Sequence, residues 1–100
     1  MVTINGRLYE SIAPVRRAAL RSAPESAAVQ ETLERARGWV RGEVERVFAD
    51  ELRGSKRDTV AGLELALSFE AWDQLRSAQG LSATRTASTV TQLLQSLLAP

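Results

Sequence analysis

The sequence predicts an all-α protein, an antiparallel helical bundle of about four helices that forms a single domain over residues 1–100. Apolar residues recur every three or four positions through most of the chain, which is the spacing of one helix face, and no useful stretch alternates as a strand would. Ser, Pro and Gly residues interrupt this pattern where short turns between helices are expected. With 100 residues, of which 44% are hydrophobic and 25% charged, the chain can build one core and not two.

The first helix is predicted over residues 7–21 by a stripe of apolar side chains, which are Leu8, Ile12, Val15 and Ala19. Pro14 lies within this stretch and has no amide hydrogen to donate to the carbonyl of Glu10. We therefore expect the helix to kink or break near Pro14.

A second helix begins at the segment SAPE, where Ser22 and Glu25 have the spacing of a capping box. It continues to about Leu52 along a stripe of apolar residues, which are Val29, Leu33, Ala36, Val40, Val44 and Val47. Gly38 and Gly42 fall on the opposite face, where each costs about 1 kcal/mol relative to Ala. We interpret both as solvent-facing positions rather than as sites where another backbone approaches closely.

The third helix is predicted to open at a second capping box, formed by Ser55 and Asp58. Residues 60–72 place apolar side chains almost all round this helix, so it has to be buried on nearly every side. Glu64 interrupts this apolar stretch. It could anchor a ligand, but we favour a position where the bundle opens to water or a pairing with an arginine across the subunit interface, because a lone buried carboxylate is costly.

The fourth helix follows Gly80, a left-handed stop that lets Leu81 fold back toward Leu75, and is capped by Ser82. Its apolar residues form the narrow seam of paired helices and are Ala83, Ala87, Val90, Leu94 and Leu97. The last two helices carry more apolar surface than two other helices of this length can cover. The sequence therefore predicts a homodimer in which these two helices of each subunit form a four-helix bundle.

Composition excludes several classes of chemistry. The chain has no Cys and no His, which removes common metal ligands and the commonest general base, so we expect no metal, no cofactor and no enzymatic activity. Its formal charge of +1 does not indicate a nucleic-acid partner. Arg16, Arg17 and Arg21 cluster without the long basic stripe of a nucleic-acid site, and a salt-bridged surface is the favoured interpretation. No apolar run approaches the length of a membrane span and the N-terminus does not resemble a secretory signal, so a cytoplasmic protein is expected.

Aromatic residues of the first two predicted helices suggest a ligand site. Aromatic side chains on helix faces are usually part of the core, but one edge of a core can also be a pocket. We predict that a small apolar effector binds in a cavity lined by Tyr9, Ile12, Trp39, Phe48 and Leu63.

Residues 63–98 resemble the last two helices of TetR-type transcriptional repressors. The resemblance rests on the segment LSFEAWDQLRSAQGLS, and its most distinctive residues are Phe69, Trp72, Leu75, Arg76, Gly80 and Leu81. The earlier segments RLYESIAPVRRAAL and PESAAVQETLERARGWVRGEVERVFADEL also look like the middle of that regulatory domain. The resemblance covers nearly the whole chain from Arg7 onward.

The resemblance implies an effector-binding and dimerisation domain of a TetR-like repressor. The last two helices would form the dimer interface, through Trp72, Leu75, Val90, Leu94 and Leu97, and the preceding helices would surround the effector. Members of the family begin with a three-helix DNA-binding unit, and the segment MVTINGR is too short to hold a helix-turn-helix. We therefore expect no direct DNA binding by these residues.

Two origins of the chain remain open at this point: a fragment of a longer repressor, or a natural stand-alone domain. An alternative function is a stand-alone helical interaction protein that heterodimerises with a full-length regulator and modulates it.

Overall fold

A computed structural model describes residues 1–54 and 57–99. This part of the chain contains no β-strand and five α-helices: α1 (Val2–Ser22), α2 (Ala27–Val47), α3 (Arg57–Ala66), α4 (Phe69–Asp73) and α5 (Ala83–Leu98). A 3₁₀ turn, Ala23–Glu25, joins α1 to α2, and a π-helical turn, Gln74–Ala78, extends α4. The predicted all-α class is confirmed.

The helices surround one core. α1 contacts α2, α4 and α5, and α3 contacts the same three helices, so α1, α2, α3 and α5 form a ring with α4 between α1 and α3. The molecule measures 42 × 30 × 19 Å and its radius of gyration is 14.1 Å, somewhat above the value of about 13 Å for a compact domain of 100 residues. The protein is therefore flattened, and this leaves room for a cleft on one side. None of the helices in the described ranges combines the length and apolar character needed to cross a bilayer.

Helix α1 begins at Val2 rather than at residue 7, and it continues through Pro14 without a break. Its buried face differs from the predicted one. The core side is formed by Asn5, Tyr9 and Ala13, whereas Val15 of the predicted stripe is exposed.

The physical reason for this rotation of α1 is the contact between Gly6 and Trp72. The indole ring packs directly on the α-carbon of Gly6, and Tyr9 lies one turn further along, with its ring edge-on to Phe69 at a centroid distance of 5.7 Å. Burial of these aromatic rings outweighs burial of the smaller aliphatic stripe, because aromatic side chains remove the most apolar area from water.

Helix α2 is capped by Ser26 and not by Ser22. The Ser26 Oγ atom accepts a hydrogen bond of 3.3 Å from the Val29 amide, while the Ser22 hydroxyl bonds back to carbonyl oxygens of α1. The predicted core face is present in its centre, where Leu33, Val40 and Val44 are buried. Nothing in the described structure stands within 4 Å of a Cβ atom built on Gly38 or Gly42, so both face open space as predicted. The helix ends at Val47, earlier than expected, and turns lead on to Gly54.

The third predicted helix is two helices. Ser55, half of the predicted capping box, lies outside the described residues. Helix α3 ends at Ala66, and Ser68 adopts an extended conformation with φ −75° and ψ 157°. The Ser68 Oγ atom accepts a hydrogen bond of 3.1 Å from the Ala71 amide, and the same hydroxyl donates to the Leu65 carbonyl at 2.7 Å. Ser68 therefore ends one helix and starts the next.

This break explains how a segment that is apolar on all sides is buried within one chain. Because α3 and α4 are separated by an extended residue, apolar side chains that would point around a single straight helix can all reach the same core. Those buried in this way are Leu63, Ala66, Leu67, Phe69, Trp72 and Leu75. A second chain is not needed to cover them.

The end of the π-helical turn follows the prediction. Gly80 adopts the left-handed conformation with φ +70°, and the Leu81 amide donates to the Leu75 carbonyl at 3.0 Å, the contact that closes a Schellman-type end. The Ser82 Oγ atom then accepts a hydrogen bond of 3.1 Å from the Arg85 amide and caps α5. On α5, Val90 and Leu94 of the predicted seam are buried against the other helices.

Candidate ligand-binding cleft

A cleft of about 590 Å³ opens between α1, α2, α3 and α4, and its lining is predominantly apolar. Each helix supplies part of the wall because each turns one apolar edge away from the core. The apolar lining residues with the largest side chains are Leu8, Tyr9, Trp39, Val40, Leu65 and Phe69.

The cleft carries exposed apolar surface. Leu8 is 42% exposed, Trp39 is 50% exposed and Leu65 is 66% exposed, and all three line this one opening. Large apolar side chains that converge on a concave surface are typical of a binding site, whereas scattered ones are not.

Tyr9 forms the inner wall of the cleft, and its hydroxyl is not available for proton transfer. Its hydroxyl donates a hydrogen bond of 2.7 Å to the Leu67 carbonyl. Burial, reinforced by the negative charges of Glu43 and Glu70, raises the pKa of Tyr9 from 10.0 to about 12. The phenol therefore stays neutral at physiological pH, and Tyr9 offers its ring to the cleft rather than a general acid or base.

Four charged residues also line the cleft, Arg16, Arg37, Glu64 and Glu70. Glu64 accepts a hydrogen bond of 3.1 Å from Nε of Arg41. Glu64 thus lies at the opening of the cleft and pairs with an arginine, but that arginine is on α2 of the same chain and not across an interface as predicted.

Arg16 has weaker hydrogen bonding than Glu64. Its Nη2 atom lies 3.5 Å from Oε1 of Glu70, at the outer limit of a hydrogen bond. Its Nε atom is buried without a hydrogen-bond partner, and the guanidinium carbon lies 5.5 Å from the centroid of the Phe69 ring. The Arg16 side chain is 12% exposed, so water can hydrate only a small part of its positive charge.

The predicted ligand residues divide into two groups. Tyr9 and Trp39 line the cleft. Ile12 and Phe48 are half-buried and pack against the core cluster instead, and Leu63 is wholly buried in the core. Their position away from the cleft follows from the rotation of α1, the end of α2 at Val47 and the inward direction of α3.

The sequence contained a usable pattern for some lining residues that the prediction missed. Arg16 follows Tyr9 by seven positions and so shares its helix face. Leu65 and Phe69 could not be found in this way, because their positions depend on the break at Ser68.

A separate set of ion pairs joins α1 to α4 and the turn that follows it. Asp73 Oδ1 accepts from Nη2 of Arg17 at 2.6 Å, and Glu10 Oε1 accepts from Nη2 of Arg76 at 2.7 Å. Glu10 also accepts a hydrogen bond of 3.0 Å from the Trp72 indole. The predicted salt-bridged surface is confirmed for Arg17, whereas Arg16 is largely buried and makes only its long contact with Glu70.

These contacts lower the pKa values of both carboxyl groups. The hydrogen bond from Arg76, followed by that from Trp72, lowers the pKa of Glu10. The hydrogen bond from Arg17 lowers the pKa of Asp73. The ion pairs fix α4 against α1 and so hold one wall of the cleft in place.

The residues predicted to form a dimer interface are largely used inside the chain. Trp72, Leu75, Val90 and Leu94 are each at most 9% exposed, so they have almost no surface to offer a partner. Leu97 is half-buried and its side chain packs on Gly62 of α3. The structure thus places these five residues in the core and at its edge, and their assignment to an interface stays a prediction. Leu93 is the α5 residue that stays substantially exposed among the large apolar side chains described.

Within residues 1–54 and 57–99, no three acidic side chains come together as a potential metal site. No protein-family model, curated protein or solved structure matches this chain.

Proposed function

We propose that this protein is the effector-binding domain of a TetR-like transcriptional regulator and that a small, mainly apolar molecule binds in the cleft between α1, α2, α3 and α4. The observation that carries the proposal is the apolar cleft of about 590 Å³ with Leu8, Trp39 and Leu65 exposed along it. Its size falls within the range of about 300–1,000 Å³ for small-molecule sites. A ligand that covers these side chains would gain from the burial of their apolar surface.

The regulatory part of the proposal rests on the resemblance of residues 63–98 to the last helices of TetR-type repressors. Helix α4 gives this part a physical basis, since Phe69 lines the cleft while Trp72 packs on α1. A ligand would change the output of such a regulator only through a different affinity for two arrangements of its helices.

Homodimerisation belongs to the same proposal, through a surface that shares only Leu97 with the predicted interface. Leu93 and the edge of Leu97 are the apolar surface that α5 leaves available. We expect light scattering to give a dimer at micromolar concentration and Leu93→Glu to give a folded monomer. A monomeric wild-type protein would remove dimerisation from the proposal and leave the cleft unaffected.

The cleft itself is tested with a neutral apolar dye, N-phenyl-1-naphthylamine, whose fluorescence rises in apolar surroundings. We expect saturable binding to the wild-type protein. Ala61→Phe should reduce it strongly, because Ala61 is an exposed residue that lines the cleft. Ala28→Phe is the matched control, since Ala28 is also exposed on a helix but does not line the cleft. Equal dye binding by both variants would count against the cleft.

A further inference from the structure

Arg16 is an under-satisfied cation in an apolar wall. An arginine has five N–H donors, and the structure gives Arg16 one acceptor, Glu70, at 3.5 Å. The Nε donor is buried and has no acceptor. A buried donor left without a partner is unfavourable, and a cation in such a position more so. An additional acceptor in the cleft would therefore be favourable.

The cleft offers a second cation besides Arg16. Glu64 is engaged by Arg41 at 3.1 Å, so its carboxylate is already neutralised. Arg37 lines the cleft and makes no ion pair with any residue in the described ranges. Two arginines, Arg16 and Arg37, thus line the cleft with one remaining glutamate, Glu70, whose side chain is 40% exposed. Glu43 adds a negative charge near Tyr9.

We propose that the ligand of this cleft is an amphipathic monocarboxylate, with its apolar part against Leu8, Trp39 and Leu65 and its carboxylate on the guanidinium of Arg16. This inference rests on the proposed ligand-binding function and adds the chemical class of the ligand. Arg37, at the same cleft, adds a second positive charge that favours an anion over a neutral or cationic molecule of equal size.

The position of the Arg16 guanidinium suits this role. The face of the Phe69 ring lies 5.5 Å from the guanidinium carbon and supports the group by a cation–π contact. A planar guanidinium can then bind both oxygens of a carboxylate along one edge, which a lysine ammonium cannot do. Glu70 would give up a long contact in exchange for a shorter one between Arg16 and the ligand.

The experiment compares three probes that share one apolar chain: octanoate, 1-octanol and octylamine. Binding is measured at neutral pH and low salt by calorimetry and by tryptophan fluorescence, because Trp39 lies in the cleft. The variant is Arg16→Gln, which removes the charge and keeps a long polar side chain. The matched control is Arg21→Gln, because Arg21 is an exposed arginine at the end of the same helix and does not line the cleft. Circular dichroism checks that both variants are folded.

We expect octanoate to bind the wild-type protein about tenfold more tightly than 1-octanol, the gain of a charge-assisted hydrogen bond. Arg16→Gln should remove this preference and leave the affinity for 1-octanol unchanged, while Arg21→Gln should keep the preference. If 1-octanol binds as well as octanoate, or octylamine binds best, the inference of an anionic ligand is wrong and the apolar cleft stands. If none of the three probes binds, the proposed function fails together with the inference.

Discussion

The indole ring of Trp72 occupies the space that a side chain on Gly6 would need. A Cβ atom built on Gly6 would lie 2.8 Å from Cζ3 of that ring, closer than such atoms approach in proteins. The ring is itself fixed, because its Nε1 atom donates to Glu10 at 3.0 Å. This contact sets which face of α1 is turned to the core.

We expect Gly6→Ala to destabilise the protein by about 2 kcal/mol, because overpacking of a rigid ring outweighs the gain of about 1 kcal/mol in helix propensity. Urea unfolding followed by circular dichroism measures the change. Gly38→Ala and Gly42→Ala are the matched controls, since a Cβ atom at either position meets nothing within 4 Å. They should stabilise the protein by up to about 1 kcal/mol each. A Gly6→Ala protein as stable as these controls would contradict the packing described here.

Thr86 is a position where a substitution is expected to stabilise the protein. It is completely buried on α5, and its Oγ1 atom has no hydrogen-bond partner. Thr86→Val keeps the shape of the side chain and removes the unsatisfied hydroxyl, so we expect stabilisation by about 1 kcal/mol. Thr91→Val serves as the control, because the Thr91 hydroxyl is exposed and donates to the Ala87 carbonyl at 2.9 Å. A loss of stability in Thr86→Val larger than in the control would show that the hydroxyl has a partner.

Tyr9 can be titrated without interference, because it is the only tyrosine in the sequence. Ultraviolet absorbance of the phenolate should give a midpoint near 12 in the folded protein, since burial raises the pKa from 10.0 to about 12. The unfolded chain loses this proton first, so the contribution of Tyr9 to stability is complete below pH 10 and is lost as the pH rises through about 12.

The variant Tyr9→Phe is a control for this titration, and its effect on stability is measured at neutral pH. Tyr9→Phe removes the hydrogen bond to the Leu67 carbonyl and should cost about 1 kcal/mol of stability, with the alkaline decline reduced. A wild-type midpoint near 10 would show that the phenol is open to solvent.

Acid should weaken the contact between α1 and α4. The pKa values of Glu10 and Asp73 are lowered from ordinary values of 4.5 and 3.8. The unfolded chain therefore binds these protons before the folded protein does, and stability falls as the pH drops from these ordinary values through the lower folded ones.

The double variant Glu10→Gln, Asp73→Asn should be less stable than the wild-type protein at neutral pH and should lose less stability on acidification. Urea midpoints measured from neutral pH to pH 3 test this. The change is expected to be modest, because both carboxyl groups are partly exposed and solvent screens their ion pairs. Parallel acid profiles for the variant and the wild-type protein would show that other carboxyl groups dominate.

Local rules predicted the helical class and several helix ends. The stop at Gly80 and the cap at Ser82 depend only on backbone conformation and on a hydrogen bond within a few residues, so sequence was sufficient for them. The cap of α2 was misplaced because Ser22 and Ser26 are both good candidates. The 3₁₀ turn between α1 and α2 decides between them.

The errors that matter for the cleft arise from contacts distant in sequence. The buried face of α1 depends on Trp72, more than sixty residues away, and periodicity within α1 contains no information about that ring. The break at Ser68 depends on burial of several side chains on both sides of it. That burial is worth far more than the fraction of a kcal/mol by which serine disfavours a helix interior.

A straight helix over residues 57–78 would be a rod about 33 Å long. Because the chain bends at Ser68, the same segment forms two short helices that meet at an angle. Ser68 itself lines the cleft. The bend at Ser68 therefore serves two ends, the burial of the core residues on its two sides and the shape of the cleft.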